Sequence, residues 1–454
     1  MAKPGIPQGT RDFDPVTVRK RNYILNIIRS TFELYGYEPL ETPAMEYLDT
    51  LMGKYGEEGD QLIFKVLNNG LNDPKNTAKA QSGFNKLMEG KSSAELTERA
   101  LKYDLTIPFA RYVAMNHGQL TLPYKRYQIQ QVWRADRPQK GRYREFTQCD
   151  ADVVGSQSLV NEIELANIYN DVFKKLGIAD FQLKINNRKI LTALAEVTGN
   201  SERLTDITVA IDKLDKIGME KVKVEMESKG ISTDKIARIE QYLLIKGSNE
   251  EVLKKLVTFF GDNLTAQRGI EELQYITNSN NGSIQIDLTL ARGLNYYTGT
   301  IFEAAAPQTV KIGSIGGGGR YDDLTGLFGL PGIPGVGISF GLDRIYDVLE
   351  ELDLFPNNIE VGTQALFFNM GAEENLYVLK QMAALRQIGV ACELYHEPAK
   401  LDKQFKYADR KKIPYIVIIG SNERAHEEAQ VKNLISGNQV TVKIQDLPLF
   451  FRNE

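Results

Sequence analysis

The sequence predicts an α+β fold in which a strand framework containing a long antiparallel hairpin is interrupted by a helical block and followed by a separate α/β unit. Three observations predict it. Two strand-like runs, PYKRYQIQQVWRAD and EFTQCDADVVG, flank a short Arg-Pro-Gln-Lys-Gly-Arg loop, the pattern of a long hairpin. Residues 190–275 are charge-rich and helical in pattern, and they lie between the strand-like stretches FQLKINNRK and SIQIDLTLARGLNYYTGTIFEAAA, as a domain inserted within a sheet would. Residues 361–454 alternate TQALFFNM, a helix, VACELYH, a helix and IPYIVIIG, then reach the hairpin candidate NLISGNQVTVKI.

In chain order, residues 15–37 place Ile24, Ile27, Ile28 and Leu34 at helical spacing, and Gly36 supplies the stop. EPLETPAMEYLD reads as an extended segment broken by Pro39 and Pro43. Residues 68–98 are polar, rich in Asn, Lys, Gly and Ser, and show little periodicity; a surface insertion is expected. The hairpin follows, then an amphipathic helix over 158–176 and the helical block. Glycines cluster in GSIGGGGRYDDL, and PGVGISFGLDRIYDVLEEL reads as a strand passing into a helix. DLFPNN is a linker ahead of the α/β unit.

With 454 residues, 42% of them hydrophobic and 25% charged, the chain has the composition of a globular protein with more than one core. MAKPGIPQGTRDF has no apolar signal region, and no run reaches about 18 uncharged apolar residues, so a cytoplasmic, unanchored protein is expected. Cys149 and Cys392 stand far apart, and His117, His396 and His426 share no short spacing, which excludes a His-Cys metal centre. Chemistry here must rest on arginines, carboxylates, tyrosines and backbone amides. The formal charge of -4 gives no global footprint for nucleic acid, so any RNA contact must be local.

The hairpin is the strongest candidate. Arg134 lies on one arm, while Gln148 and Asp152 share one face of the other because strand side chains alternate. An arginine fork beside a carboxylate and an amide holds a phosphate and an ammonium side by side; a solvated hairpin with rim salt bridges accounts for the same residues. The run Gly316 to Arg320 lacks the Lys-Ser or Lys-Thr of a P-loop, and close backbone packing explains it as well as phosphate binding does. Arg344 stands where a strand meets a helix start, which favours anions; an ion pair with Asp343 or Asp347 is the alternative. ARGLNYY places Arg292 close to Tyr296 and Tyr297, whose rings suit a planar polar ligand or, equally, a core. Three arginines on different strands point to a nucleoside triphosphate held by side chains.

These stretches together resemble the histidyl-tRNA synthetases, members of the class II aminoacyl-tRNA synthetases. YGYEPLETPAMEYLD resembles motif 1, with Pro43 as its interface proline; VWRADRPQKGRYREFTQCDAD resembles motif 2; GVGISFGLDR resembles motif 3. LARGLNYYTGTIFE and GGGGRYDDL resemble the two signatures peculiar to the histidine enzymes. The resemblance implies a catalytic domain on an antiparallel sheet over 1–350, a helical insertion at 190–275 contacting the tRNA acceptor arm, and an α/β anticodon-binding domain over 361–454. It implies ligation of L-histidine to tRNA(His) with ATP and Mg²⁺ by a homodimer. Residue by residue, Asp104, Thr106, Gln148 and Asp152 match groups that hold the substrate's α-amino group, and Tyr296, Tyr297 and Tyr321 match residues around the imidazole. Arg134 and Arg292 match arginines at the α-phosphate, and Arg344 matches one on the ATP tail. Arg137 and Gln139 match loop positions that read the extra 5′ guanosine of the tRNA in bacterial members.

Three departures stand out. Asn295 replaces a common Asp, YDLT and EFTQCD follow the eukaryotic pattern while DRPQKGR follows the bacterial one, and segment 68–98 is longer than the family's. The family also contains non-catalytic histidine-sensing regulatory paralogues; these usually lack the anticodon domain and the catalytic arginines, both of which this chain keeps. Lys400, Lys403, Lys406, Arg410, Lys411 and Lys412 form a basic patch in the C-terminal unit, as an RNA-facing or a solvated helix would.

Overall fold

The computed structural model describes residues 4–279, 284–291 and 296–453. The chain divides into two compact units, residues 1–12 with 21–354, and residues 13–20 with 355–454.

The larger unit contains strands β1 (Glu38–Pro39), β2 (Met45–Tyr47), β3 (Lys65–Val66), β4 (Arg99–Leu101), β5 (Tyr124–Trp133) and β6 (Glu145–Val154). It continues with β7 (Gln182–Asn187), β8 (Ile284–Ile286), β9 (Thr300–Ala305), β10 (Ser314–Arg320) and β11 (Gly335–Gly341). Eight of these form one sheet in the order β1-β5-β6-β11-β10-β9-β7-β8, and β2-β4-β3 form a second. The six central strands pair antiparallel, whereas the edge pairs β1·β5 and β7·β8 are parallel, so the sheet is mixed at its margins. The expected hairpin is present as β5 and β6, in continuous register from Tyr124↔Val154 to Trp133↔Glu145.

Between β7 and β8 the described chain is helical, from Arg188–Val197 to Leu264–Ser279, with no strand among the described residues of that stretch. The reason is visible in the helix Asn249–Phe260: Ser248 and Glu251 close a capping box at its start, and Val252, Leu253, Leu256 and Phe260 bury one face.

Several local expectations are corrected. In the helix Pro15–Leu34, Ile24 and Ile28 are buried as their spacing predicts, together with Thr31 and Phe32, whereas Leu34 is 76% exposed. Of the strand-like stretch after the helical block, the described residues form two short strands, β8 and β9. The polar segment 68–98 contains the helix Thr77–Met88, whose Phe84, Leu87 and Met88 stay exposed and whose only buried member is Gly83. A helix with no buried apolar stripe leaves no period to read.

The smaller unit holds a five-stranded sheet in the order β13-β12-β14-β15-β16, with β12 (Ala365–Phe367), β13 (Cys392–Leu394), β14 (Tyr415–Ile418), β15 (Glu428–Asn433) and β16 (Gln439–Lys443). β12 pairs parallel with β13 and β14, and helices Ala372–Gln387 and Leu401–Arg410 supply the crossovers that parallel strands require. In the basic patch, Lys411 pairs with Glu393 at 2.7 Å and Lys412 with Glu360 at 2.5 Å, so part of its charge is compensated within the unit.

Candidate active site

Register builds the site. In the hairpin Arg126 lies opposite Asp152 and Gln130 opposite Gln148, and β11 then sets Ser339 beside Asp150 and Gly337 beside Asp152. Gln148, Asp150 and Asp152 recur at the two-residue period of a strand, so all three face one side. Two glycines make room there. A Cβ on Gly337 would fall inside contact distance of the Asp152 carboxylate, and one on Gly318 would collide with the Gly337 carbonyl across the ladder. The glycine run is therefore a close-packed strand, as one of its two sequence readings held.

The result is an inner recess of about 60 Å³ lined by Asp104, Thr106, Gln148, Asp150, Asp152, Tyr296, Tyr297 and Tyr321. It shares Arg134, Gln148, Tyr297, Gly317 and Ser339 with a larger cleft of about 520 Å³ that also meets Arg142 and Arg344.

The recess is anionic. Asp104 Oδ1 accepts from Tyr55 Oη at 3.0 Å and from the Ile107 amide at 3.1 Å, and Oδ2 accepts from Tyr296 Oη at 3.4 Å. Burial raises the Asp104 carboxyl above its usual range, against the opposing pull of the Ile107 amide and Arg134. Asp152 accepts from Tyr321 Oη at 2.5 Å and pairs with the fully buried Arg126 at 2.8 Å. Burial raises it too, with Arg126 and Tyr321 lowering it. Asp150 is pushed up to about 7, chiefly by burial, with Arg126 pulling it down and Asp152 pushing it further up. Burial likewise holds the phenols of Tyr55, Tyr296, Tyr297 and Tyr321 well above their ordinary range, which keeps them protonated donors.

The outer cleft gathers three arginines, Arg134, Arg142 and Arg344, beside Asp136 and Asp343. Arg134 Nε donates to the Tyr103 carbonyl at 3.0 Å, its guanidinium lies 4.2 Å from the Tyr103 ring centre, and its Nη2 reaches Gln148 Oε1 at 3.4 Å. These contacts aim the fork before any ligand arrives. Arg344, in the first turn of helix Leu342–Glu351, donates to the carbonyls of Gly141 at 2.9 Å and Ser314 at 2.7 Å. The neighbouring Asp343 is instead engaged by Arg11, by Arg21 at 2.5 Å and by the Thr147 amide at 3.1 Å.

Eight of the sequence-predicted residues thus meet in the recess: Asp104, Thr106, Arg134, Gln148, Asp152, Tyr296, Tyr297 and Tyr321. Arg344 lines the cleft. Arg137 and Gln139 sit exposed on the hairpin loop, which is closed by the Gln139↔Arg142 bridge and Gly141 at φ 73°. Arg292 and Asn295 lie outside the described residues. Sequence reading passed over Asp150 and Arg126. The two-residue period that paired Gln148 with Asp152 runs through Asp150, and the same period counted back from Arg134 reaches Arg126. Tyr55 and Ser339 carry no comparable signal.

A family model described as Histidyl-tRNA synthetase matches residues 9–73 and 75–345, and an Anticodon binding domain model matches residues 364–454. The chain is 52% identical over 453 residues to a Histidine--tRNA ligase of Christiangramia forsetii, covering 98% of each. It is 52% identical over 451 residues to one of Bacteroides fragilis, again covering 98% of each. A crystal structure of histidyl-tRNA synthetase from Nostoc sp. PCC 7120 superposes with a TM-score of 0.82 at 34% identity, covering 100% of both chains. With a family model spanning most of its length and relatives matching it end to end, the chain belongs to the histidyl-tRNA synthetase family, catalytic and anticodon-binding parts included.

Proposed function

We propose that the inner recess takes the amino-acid end of histidine and the outer cleft takes ATP, so that histidine–tRNA ligation proceeds across their shared wall. The observation that carries this division is the polarity of the site: three buried carboxyls line the recess, while the cleft carries Arg134 on the shared wall with Arg142 and Arg344, and its own buried carboxyl, Asp343, is taken up by Arg11 and Arg21. An ammonium fits the first and phosphates fit the second. Asp104, Thr106, Gln148 and Asp152 hold the α-ammonium, and Tyr296, Tyr297 and Tyr321 flank the imidazole. The histidine carboxylate then attacks the α-phosphate in line, Arg134 and Arg292 stabilise the charge that develops, and pyrophosphate leaves along Arg344. The 3′-terminal hydroxyl of tRNA(His) next attacks the carbonyl of the adenylate and releases AMP. Positioning supplies much of the acceleration, since no side chain need act as a nucleophile.

Among the described residues no three His, Cys, Asp or Glu side chains cluster as a metal cage, and Asp343 is already engaged by arginines. A Mg²⁺ in this cleft is one that arrives on the phosphates of ATP, as is usual for that ion, and it supplies charge neutralisation there.

We assign the catalytic domain to residues 1–350, with 190–275 as its helical insertion, and the anticodon-binding domain to 361–454. The resemblance of the Pro43 segment to motif 1 supports a homodimer, for which sedimentation at micromolar concentration should return twice the 51.1 kDa chain mass. A monomer would refute it. The cytoplasm is the assigned compartment by family resemblance; among the described residues no helix is long and apolar enough to cross a membrane.

The exposed loop residues Arg137 and Gln139 are assigned to the 5′ end of the tRNA. Arg137→Ala should slow charging of tRNA(His) by roughly 10- to 100-fold, the worth of one arginine–base contact, while leaving histidine-dependent ATP–pyrophosphate exchange unchanged. Equal loss of both activities would contradict the assignment.

A further inference from the structure

Asp150 is a buried carboxyl that none of these assignments uses. It is 3% exposed, lines the inner recess and lies opposite Ser339 in the β6·β11 ladder. Ser339 gives its carboxyl a hydrogen bond, and Ser339 Oγ in turn accepts from Gln148 Nε2 at 2.9 Å. The other oxygen, Oδ1, is buried and has no hydrogen-bond partner. Its neighbours differ: Asp152 Oδ2 also lacks a hydrogen bond but lies 2.8 Å from Arg126 in an ion pair, its other oxygen accepts from Tyr321, and Asp104 accepts from Tyr55, Tyr296 and the Ile107 amide. A buried acceptor left unmade is destabilising, so its persistence beside an open recess calls for a ligand that completes it.

Valence decides which ligand atom that is. An ammonium carries three N–H donors, and Asp104, Gln148 and Asp152 already offer three acceptors to it. Histidine has one other group that donates from nitrogen: its ring. We propose that Asp150 is a specificity-determining residue that accepts the imidazole N–H of histidine through Oδ1. The proposal rests on the assignment of the recess to histidine. Ser339, donating to the second oxygen, positions the carboxyl and ties it to Gln148, so the contacts to the two ends of the amino acid share one frame.

The test compares histidine with 3-(thiazol-4-yl)alanine, in which sulfur replaces the ring N–H, in ATP–pyrophosphate exchange by wild type and Asp150→Asn. Wild type should prefer histidine by at least about 10²-fold in kcat/KM, because a site built around an N–H rejects a ligand lacking it. In Asp150→Asn, kcat/KM for histidine should fall roughly 10- to 100-fold through KM, the range for a hydrogen bond to a charged group, with KM for ATP and activity on the thiazole unchanged. Arg126 acts on both Asp150 and Asp152 and keeps its ion pair with Asp152 when Asp150 is replaced, so the variant should fold; if it does not, Asp150→Ser replaces it. Parallel losses on both substrates would mark a structural role and overturn the proposal, as would unchanged discrimination. Failure of the wild type to activate histidine at all would instead defeat the assignment of the recess on which the proposal stands.

Discussion

Arg134→Ala is expected to lower kcat for histidine-dependent ATP–pyrophosphate exchange by about 10²- to 10³-fold, the usual consequence of removing one preorganised donor from a developing anion. The side chain is held ready by the Tyr103 carbonyl and ring and by Gln148, so its aim is set in advance. Its direct partners are a neutral carbonyl, an aromatic face and an amide; the buried Asp104 carboxyl, which its charge pulls down, is already raised by burial and can take up a proton when the guanidinium goes. Thermal stability should therefore change little while activity collapses. Arg134→Lys should recover only a small part, because a point charge on a flexible stem cannot reproduce the planar fork. Exchange within about threefold of wild type would remove Arg134 from the α-phosphate; the change expected from losing a charged hydrogen bond is larger than that.

Asp152→Ala is expected to act in the opposite order, on folding first. Asp152 faces Arg126, which is 0% exposed, so truncation leaves a guanidinium buried beside Asp150 without its ion-pair partner. Breaking a buried pair from one side costs about 3–5 kcal/mol. It also releases Tyr321, whose hydroxyl donates to Asp152. Urea unfolding should show that loss, and histidine KM should rise in whatever protein remains folded. Combining Asp152→Ala with Arg126→Met should return part of the stability, because the stranded charge is gone, without returning histidine affinity. If the double variant binds histidine normally, Asp152 is structural only; if the single variant is as stable as wild type, the buried pair has been misjudged.

These two residues also show how much of the molecule was legible beforehand. The hairpin was readable because strand-like runs flank a loop of Pro, Gly and basic residues, and its alternation put Gln148 and Asp152 on one face before any geometry was known. The strand-to-helix passage at 335–351 and the α/β alternation after 361 were readable for the same reason: their periods face a core. The helix Thr77–Met88 was not, since its apolar residues stay exposed. Nor were the partners of Asp343, because Arg11 and Arg21 lie more than 300 residues away in sequence and only the fold brings them in. Asp150 is the instructive omission. It sits on the same two-residue period as Gln148 and Asp152, but what distinguishes it, Ser339 opposite on β11, comes from a distant stretch that only the sheet brings beside it.

The central claim is that one hairpin face divides histidine from ATP, carboxyls inward and arginines outward. A crystal structure of the protein with histidinol and ATP tests it most directly. The account predicts the ammonium among Asp104, Gln148 and Asp152, the imidazole between Tyr297 and Tyr321, and the α-phosphate within hydrogen-bonding reach of Arg134. Histidinol bound in the reverse sense, with its ammonium toward Arg344, or an α-phosphate outside the reach of Arg134, would contradict it.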